Sequence, residues 1–159
     1  MDWREYTGLM DLDISELGKA VQVNTAVLDA VKKKHPVEKI LSDFNAIGLN
    51  AGLVLTIFGR AAFGPWAGVV GASYTTWEVI KAIVSSFQLE KALEEGLRKL
   101  NDALVFMAQN TNRYKRVELD VAFLEYIVTT SSGRAEIRYI QQASINRLQT
   151  MDGNWIGQS

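Results

Sequence analysis

The sequence contains no cysteine, so disulfide bonds and thiol chemistry are excluded. Its single histidine, His35, lies beside Pro36 at an expected helix boundary, and one such residue is too few for a zinc site. The carboxylates are scattered among basic residues, and no glycine-rich segment carries the Lys-Ser/Thr of a phosphate-binding loop. These absences predict that the chain is not an enzyme, holds no metal and uses no cofactor.

An excess of either charge is also lacking, because 17 basic and 18 acidic residues leave a net charge of −1. Without a basic patch interleaved with aromatic residues, nucleic-acid binding is not predicted. The N-terminus, Met1 to Glu5, lacks the basic-then-apolar order of a signal peptide. We therefore expect a chain made as a soluble cytosolic protein, which is secreted or associates with a membrane on activation.

The distinctive segment is residues 46–77, called here the apolar stretch, which has one charge, Arg60, and six of the twelve glycines. The run before Gly59 is too short for a transmembrane helix, which needs about 20 apolar residues. Gly59 suits a helix C-cap, and Pro65 suits the first turn of the next helix. The pattern predicts a long hydrophobic helical hairpin with arms 36–59 and 65–109.

Small residues recur along both arms at a spacing that lets membrane helices pack closely, as in a glycine zipper. Each glycine inside a helix costs about 1 kcal/mol relative to alanine in water. This cost favours a segment that repacks during function, whereas tight packing in a soluble hairpin is the alternative. The predicted helix-packing residues are Gly48, Ala51, Gly52, Gly64, Gly68 and Gly71.

Aromatic residues cluster in the apolar stretch, and Trp and Tyr prefer the membrane–water interface. Aromatic packing in a protein core is the alternative for Trp77. We expect Arg60 at an interface, because a charge at the bilayer centre costs about 2.5–3.5 kcal/mol. The predicted membrane-contact residues are Ile47, Leu49, Leu53, Val54, Ile57, Phe58, Arg60, Phe63, Trp66, Val69, Val70, Tyr74 and Trp77.

Outside the stretch, apolar residues spaced by three and four predict a helix over 14–34 and helices over 116–150. Asp13 and Glu16 form a capping box that opens the first helix. Residues 123–130 are also rich in strand-forming residues, but helix is the prediction there. The fold class is therefore all-α: one domain, residues 1–159, built as an elongated bundle of about five helices.

The apolar pattern of the predicted helices is interrupted at two places, one with a polar residue and one with a glycine. Asn24 lies in the apolar seam of the first helix, where it fixes coiled-coil register or lies exposed on a surface helix. The apolar phase of the second arm shifts by one residue between Gln88 and Gly96, and one residue is about 100° of helix rotation. Gly96 is therefore the predicted hinge.

A long amphipathic helix, a hydrophobic segment with Gly64-Pro65 near its tip, and a long returning helix cover residues 14–109. This layout resembles the α-helical pore-forming toxins of the cytolysin A and multi-component haemolysin types. The Gly-rich hydrophobic helix pair also resembles the N-terminal helical domains of fungal death-signalling proteins. Both resemblances imply a protein that moves between water and a membrane.

We therefore expect a membrane-active toxin or defence effector that inserts residues 46–77 and oligomerises. The alternative is a soluble helical interaction module, including a phage or virus structural protein, whose apolar arms are covered by its own helices or by a partner subunit. The expected partners are a lipid membrane and either further copies or a partner subunit. Nucleic acid and small-molecule substrates are not expected.

Overall fold

A computed structural model describes residues 2–33, 35, 37–48, 53, 56–57, 87–130 and 133–157. The described strands form one antiparallel sheet in the order β1-β2-β3-β4. Helix α3 packs on both β3 and α1, and α1 packs mainly on α3. In chain order the elements are β1 (Asp2–Asp13), α1 (Ile14–Lys33), α2 (Val37–Ile47), α3 (Phe87–Gln109), β2 (Tyr114–Thr130), β3 (Gly133–Thr150) and β4 (Trp155–Gly157).

The all-α prediction is wrong, because most of residues 116–150 form β2 and β3 instead of helices. Val117 and Val121 have a spacing that suits one face of a helix and one face of a strand equally well. The deciding residues are Leu119 and Phe123, which are buried with them and complete the period of two that defines a strand face. Tertiary pairing with β1 and β3 therefore selects the strand.

Strand β1 occupies a segment for which the sequence predicts no element. It pairs with β2 without interruption, from Asp2 opposite Ile127 to Asp13 opposite Arg116. Met10 and Leu12 are buried, whereas Leu9 is 61% exposed, so one face of this edge strand packs on the core.

Three β-bulges curl the sheet, because each extra residue bends its strand and increases the local twist. The pairing of β2 with β3 skips Lys115 in β2, and Gln141 and Asn146 in β3. Two of the extra side chains bind the neighbouring strand: Gln141 donates to the Phe123 carbonyl and Asn146 donates to Glu118 Oε1 at 2.7 Å.

Gly96 allows α3 to lie against the backbone of β3. A Cβ atom built on Gly96 would lie 1.9 Å from the Ile140 carbonyl oxygen, beside the Gln141 bulge. The helix runs unbroken through Gly96, from Phe87 to Gln109. A hinge at Gly96 stays a prediction, but the structure gives this glycine a packing role that any side chain would disturb.

The hydrophobic helical hairpin is also contradicted. Its first arm is not one helix, because α2 ends at Ile47 and Gly48 adopts the left-handed φ of 79°. The Gly48 N–H donates to the carbonyls of Phe44 and Asn45, which is a helix C-cap. The described part of the second arm, α3, packs on the sheet and on α1. No helix among the described residues is both long enough and apolar enough to cross a bilayer.

The start of α1 is confirmed by a reciprocal capping box. The Glu16 N–H donates to Asp13 Oδ1 at 2.8 Å, and the Asp13 N–H donates to Glu16 Oε1 at 3.0 Å. Further along α1, Asn24 is buried and its amide donates to the Ala20 carbonyl at 2.7 Å. The surface position that was one alternative for Asn24 is therefore wrong.

Replacing Gly96 should destabilise the protein, which reverses the expectation from helix propensity. We expect Gly96→Ala to lower the free energy of unfolding by about 1–3 kcal/mol, because its methyl group overpacks against backbone. Gly18→Ala in α1 is the matched control: nothing lies within 4 Å of the added Cβ, so it should stabilise by about 0.5–1 kcal/mol. Denaturant unfolding measures both, and a more stable Gly96→Ala would contradict the packing role.

Glu118 forms a charged network at the Asn146 bulge. Its buried carboxylate accepts two hydrogen bonds from Arg147, at 2.9 and 2.7 Å, as well as the bond from Asn146. The Arg147 guanidinium, followed by the Asn146 amide, lowers the pKa of Glu118 below its ordinary value. Arg147 also stacks on the Trp155 ring at 4.9 Å, which links β4 to this network.

The network should make stability depend on pH. Because the pKa of Glu118 is lowered in the folded state, its contribution is present above the unfolded value of about 4.5 and is lost as pH falls through the folded value. We expect Glu118→Gln to be more destabilising at pH 7 than at pH 3. Asp120→Asn, at an exposed position of the same strand, is the control. Equal destabilisation by Glu118→Gln at both pH values would exclude this contribution.

Candidate functional site

A row of three charged side chains crosses three strands of the sheet. Arg4 of β1 lies opposite Glu125 of β2, which lies opposite Arg138 of β3. We call these residues the charged row. They lie on the same sheet face as their second neighbours Tyr6 and Phe123, because side chains alternate along a strand.

The outer half of the row is a paired charge. Arg4 Nε donates to Glu125 Oε1 at 2.6 Å, with the Arg4 side chain 57% exposed and that of Glu125 6% exposed. The Tyr6 hydroxyl donates to Glu125 Oε2 at 3.2 Å. The buried carboxylate is therefore neutralised by an arginine that also reaches water.

The inner half of the row is arranged differently. Arg138 donates through Nη1 to the Tyr6 hydroxyl at 3.2 Å, and its guanidinium lies 3.9 Å from the centre of the Phe123 ring. Its Nη2 donates to the main-chain carbonyl of Thr56 at 2.7 Å. Among the described residues, its buried Nε has no hydrogen-bond partner and its guanidinium has no salt bridge.

The bond to Thr56 joins the charged row to the apolar stretch. Leu53 and Ile57, on either side of Thr56 in the chain, are 4% and 0% exposed and belong to the hydrophobic core. Ile47 is partly buried against the same core. These three residues were predicted to contact a membrane, but in this structure they contact protein, because the described part of the stretch completes the core of the sheet and helices.

The other predicted site residues divide into two groups. Gly48 caps α2, nothing lies within 4 Å of a Cβ built on it, and its carbonyl accepts a hydrogen bond from Lys19 Nζ of α1 at 3.2 Å. The predictions that lie outside the described residues are Leu49, Val54, Phe58, Arg60, Phe63, Trp66, Val69, Val70, Tyr74 and Trp77 for membrane contact, and Ala51, Gly52, Gly64, Gly68 and Gly71 for helix packing.

The described residues also form two surface grooves, neither of which includes the charged row. One, of about 320 Å³, lies between α1 and α3 and is lined mainly by apolar atoms of residues such as Val21, Leu28 and Leu97. The other, of about 300 Å³, lies between α3 and β3 and includes Lys99, Asp102 and Ser144. No cluster of three His, Cys, Asp or Glu side chains suited to a metal ion occurs among the described residues.

Comparison with known proteins found no matching family model, no similar curated protein and no similar solved structure. The resemblance to pore-forming toxins therefore stays a prediction. The all-helical fold that it implied is wrong.

Sequence reasoning missed the charged row. The available signal was a period of two, which places alternate residues on one face of a strand. Arg4 and Tyr6 have this spacing, and so do Phe123 and Glu125. The signal does not tell which strands pair, and Arg4 and Glu125 are 121 positions apart. Only the pairing of β1 with β2, and of β2 with β3, brings the row together.

The Tyr6 hydroxyl should stabilise the row measurably, because it donates to Glu125 and accepts from Arg138. We expect Tyr6→Phe to lower the free energy of unfolding by about 1–2 kcal/mol, since two partly buried charged groups lose a hydrogen bond. The ring would keep its contact with Phe123, whose centre lies 5.3 Å away.

Tyr114→Phe is the matched control for that measurement. The Tyr114 ring stacks on Phe106 at 6.0 Å, and its hydroxyl makes no hydrogen bond to the described residues. Denaturant unfolding should therefore change little for this variant. An equal effect of the two substitutions would show that the Tyr6 hydroxyl has no special role.

Proposed function

We propose that this protein is a membrane-associating protein in which the sheet-and-helix domain carries the apolar stretch and anchors its beginning. The observation that supports the anchor is the hydrogen bond from Arg138 to the Thr56 carbonyl, between the buried residues Leu53 and Ile57. It ties the stretch to a folded domain at a defined point.

The composition of the stretch beyond this anchor supports lipid as its partner. From Phe58 to Trp77 the sequence has one charge, Arg60, together with two tryptophans and a tyrosine. Tryptophan and tyrosine are enriched where proteins meet the membrane–water interface. Permeabilisation of a membrane, as a toxin or defence effector, is the activity that we propose for this association.

A partner subunit is the second candidate for what covers the stretch. The burial of Leu53 and Ile57 in the core favours it, because this part of the stretch is accommodated by protein instead of lipid. In this case the protein is an interaction module, and further copies of the chain or another subunit cover the remaining apolar residues.

A charge placed in the stretch should weaken vesicle binding. We expect Val69→Asp to lower affinity for phospholipid vesicles by at least about tenfold, because aspartate costs about 2.5–3.5 kcal/mol deep in a bilayer. Val105→Asp is the matched control, since Val105 lies on α3 and is 47% exposed, outside the stretch. Vesicle co-flotation measures binding, and dye release from the same vesicles measures permeabilisation.

The result also separates the two candidates. If the original protein does not bind vesicles, membrane association is contradicted. A solution mass that is a multiple of 17.7 kDa, and that Val69→Asp reduces to one chain, would then establish the interaction module. Vesicle binding that both substitutions leave unchanged would exclude the stretch as the membrane contact.

A further inference from the structure

The two arginines of the charged row differ in how their charge is compensated. The carboxylate of Glu125 pairs with Arg4, whose side chain is already 57% exposed to water. The more enclosed Arg138 has no salt bridge among the described residues, and its Nε is buried without a hydrogen bond. The salt bridge is therefore made by the exposed Arg4, although the more enclosed Arg138 has the greater need of one.

The burial of Arg138 Nε without a partner therefore costs free energy of folding. A buried donor without a partner loses the hydrogen bonds that it makes with water, and a charged donor loses more than a neutral one. The Phe123 ring offsets part of this cost through a cation–π contact. Arg138 as a whole is half-buried, so an apolar side chain in its place would remove the unpartnered Nε together with the hydrogen bonds of Nη1 and Nη2.

Of the groups that Arg138 contacts, one belongs to the apolar stretch. Tyr6 and Phe123 are part of the sheet, whereas the Thr56 carbonyl is part of the segment that follows α2. The bond between Arg138 and Thr56 can therefore break while the pairing of β1, β2 and β3 stays intact.

We propose that Arg138 is a tether that holds Thr56, with its buried neighbours Leu53 and Ile57, against the sheet and regulates their release. When the bond to Thr56 breaks, these residues open locally, and the guanidinium gains access to water. This regulation rests on the proposed membrane function, because release of the anchored end lets Leu53 and Ile57 leave the core. The tether itself is a property of the described residues alone.

Arg138→Met tests the tether, because methionine keeps an unbranched apolar side chain beside Phe123 but cannot donate a hydrogen bond. We expect amide hydrogen exchange in a peptide covering residues 53–57 to become about tenfold faster, as for the loss of one charged hydrogen bond. Exchange in α3 and the denaturant midpoint should change little. The substitution removes the unfavourable burial of Nε together with the favourable contacts of Arg138.

Arg147→Met is the matched control, since it removes another arginine that stacks on an aromatic ring further along β3. Exchange at residues 53–57 relative to α3 should not change in this variant. The tether is refuted if Arg138→Met leaves the ratio unchanged, or if α3 accelerates equally, because Arg138 would then support only the fold as a whole.

The rate of vesicle association separates the tether from the membrane function. Arg138→Met should associate faster than the original chain, because local opening is already favoured. Faster local exchange with an unchanged rate of vesicle association would refute the regulatory role while leaving the tether established. Faster local exchange in a protein that never binds vesicles would instead refute the proposed membrane function.

Discussion

The approach of α3 to the backbone of β3 at Gly96 is the constraint on which the rest of the fold depends. The Ile140 carbonyl occupies the space that a side chain at Gly96 would need, and the Gln141 bulge lies at the same place. A bulge bends its strand, and a glycine lets a helix approach that bend without a side chain between them. Because α1 packs mainly on α3, the depth of this contact also positions α1.

The hydrophobic core depends on this close approach of α3 to β3. Leu93 and Leu100 of α3 are fully buried, as are Leu17 of α1 and Val121 of β2. Leu53 and Ile57 join the same cluster, so the beginning of the apolar stretch is part of the domain. The apolar stretch therefore contains two kinds of residue with the same apolar composition. Some side chains complete the core of the domain, and others are those for which we propose lipid contact.

The polar groups of the sheet differ at its two ends. Glu118 has Arg147 and Asn146 as direct partners, and the network satisfies its carboxylate. Arg138, in contrast, is held by a tyrosine hydroxyl, an aromatic face and one main-chain carbonyl. A fully satisfied polar network makes a structure rigid, and the Arg138 end lacks full satisfaction because its buried Nε has no partner among the described residues. This difference is why we assign a regulatory role to the Arg138 end.

Local interactions are what the sequence by itself determined. The capping box of Asp13 and Glu16 involves neighbours three positions apart, so it could be recognised without knowledge of the fold. The near absence of charge in residues 46–77 and the lack of cysteine are likewise properties of composition. In contrast, the spacing of Val117 and Val121 suits a helix and a strand alike, and intrinsic preference did not decide between them.

The tertiary structure decided the strands, the charged row and the role of the glycines. Residues 116–130 form a strand because β1 supplies a pairing partner from the far end of the chain, and residues 133–150 pair with that strand in turn. Arg4 thereby meets Glu125 across 121 positions. Gly96 looks like a weak point in a helix until the Ile140 carbonyl is seen beside it. Such contacts depend on chain segments that are distant in sequence, so a local pattern of residues cannot specify them.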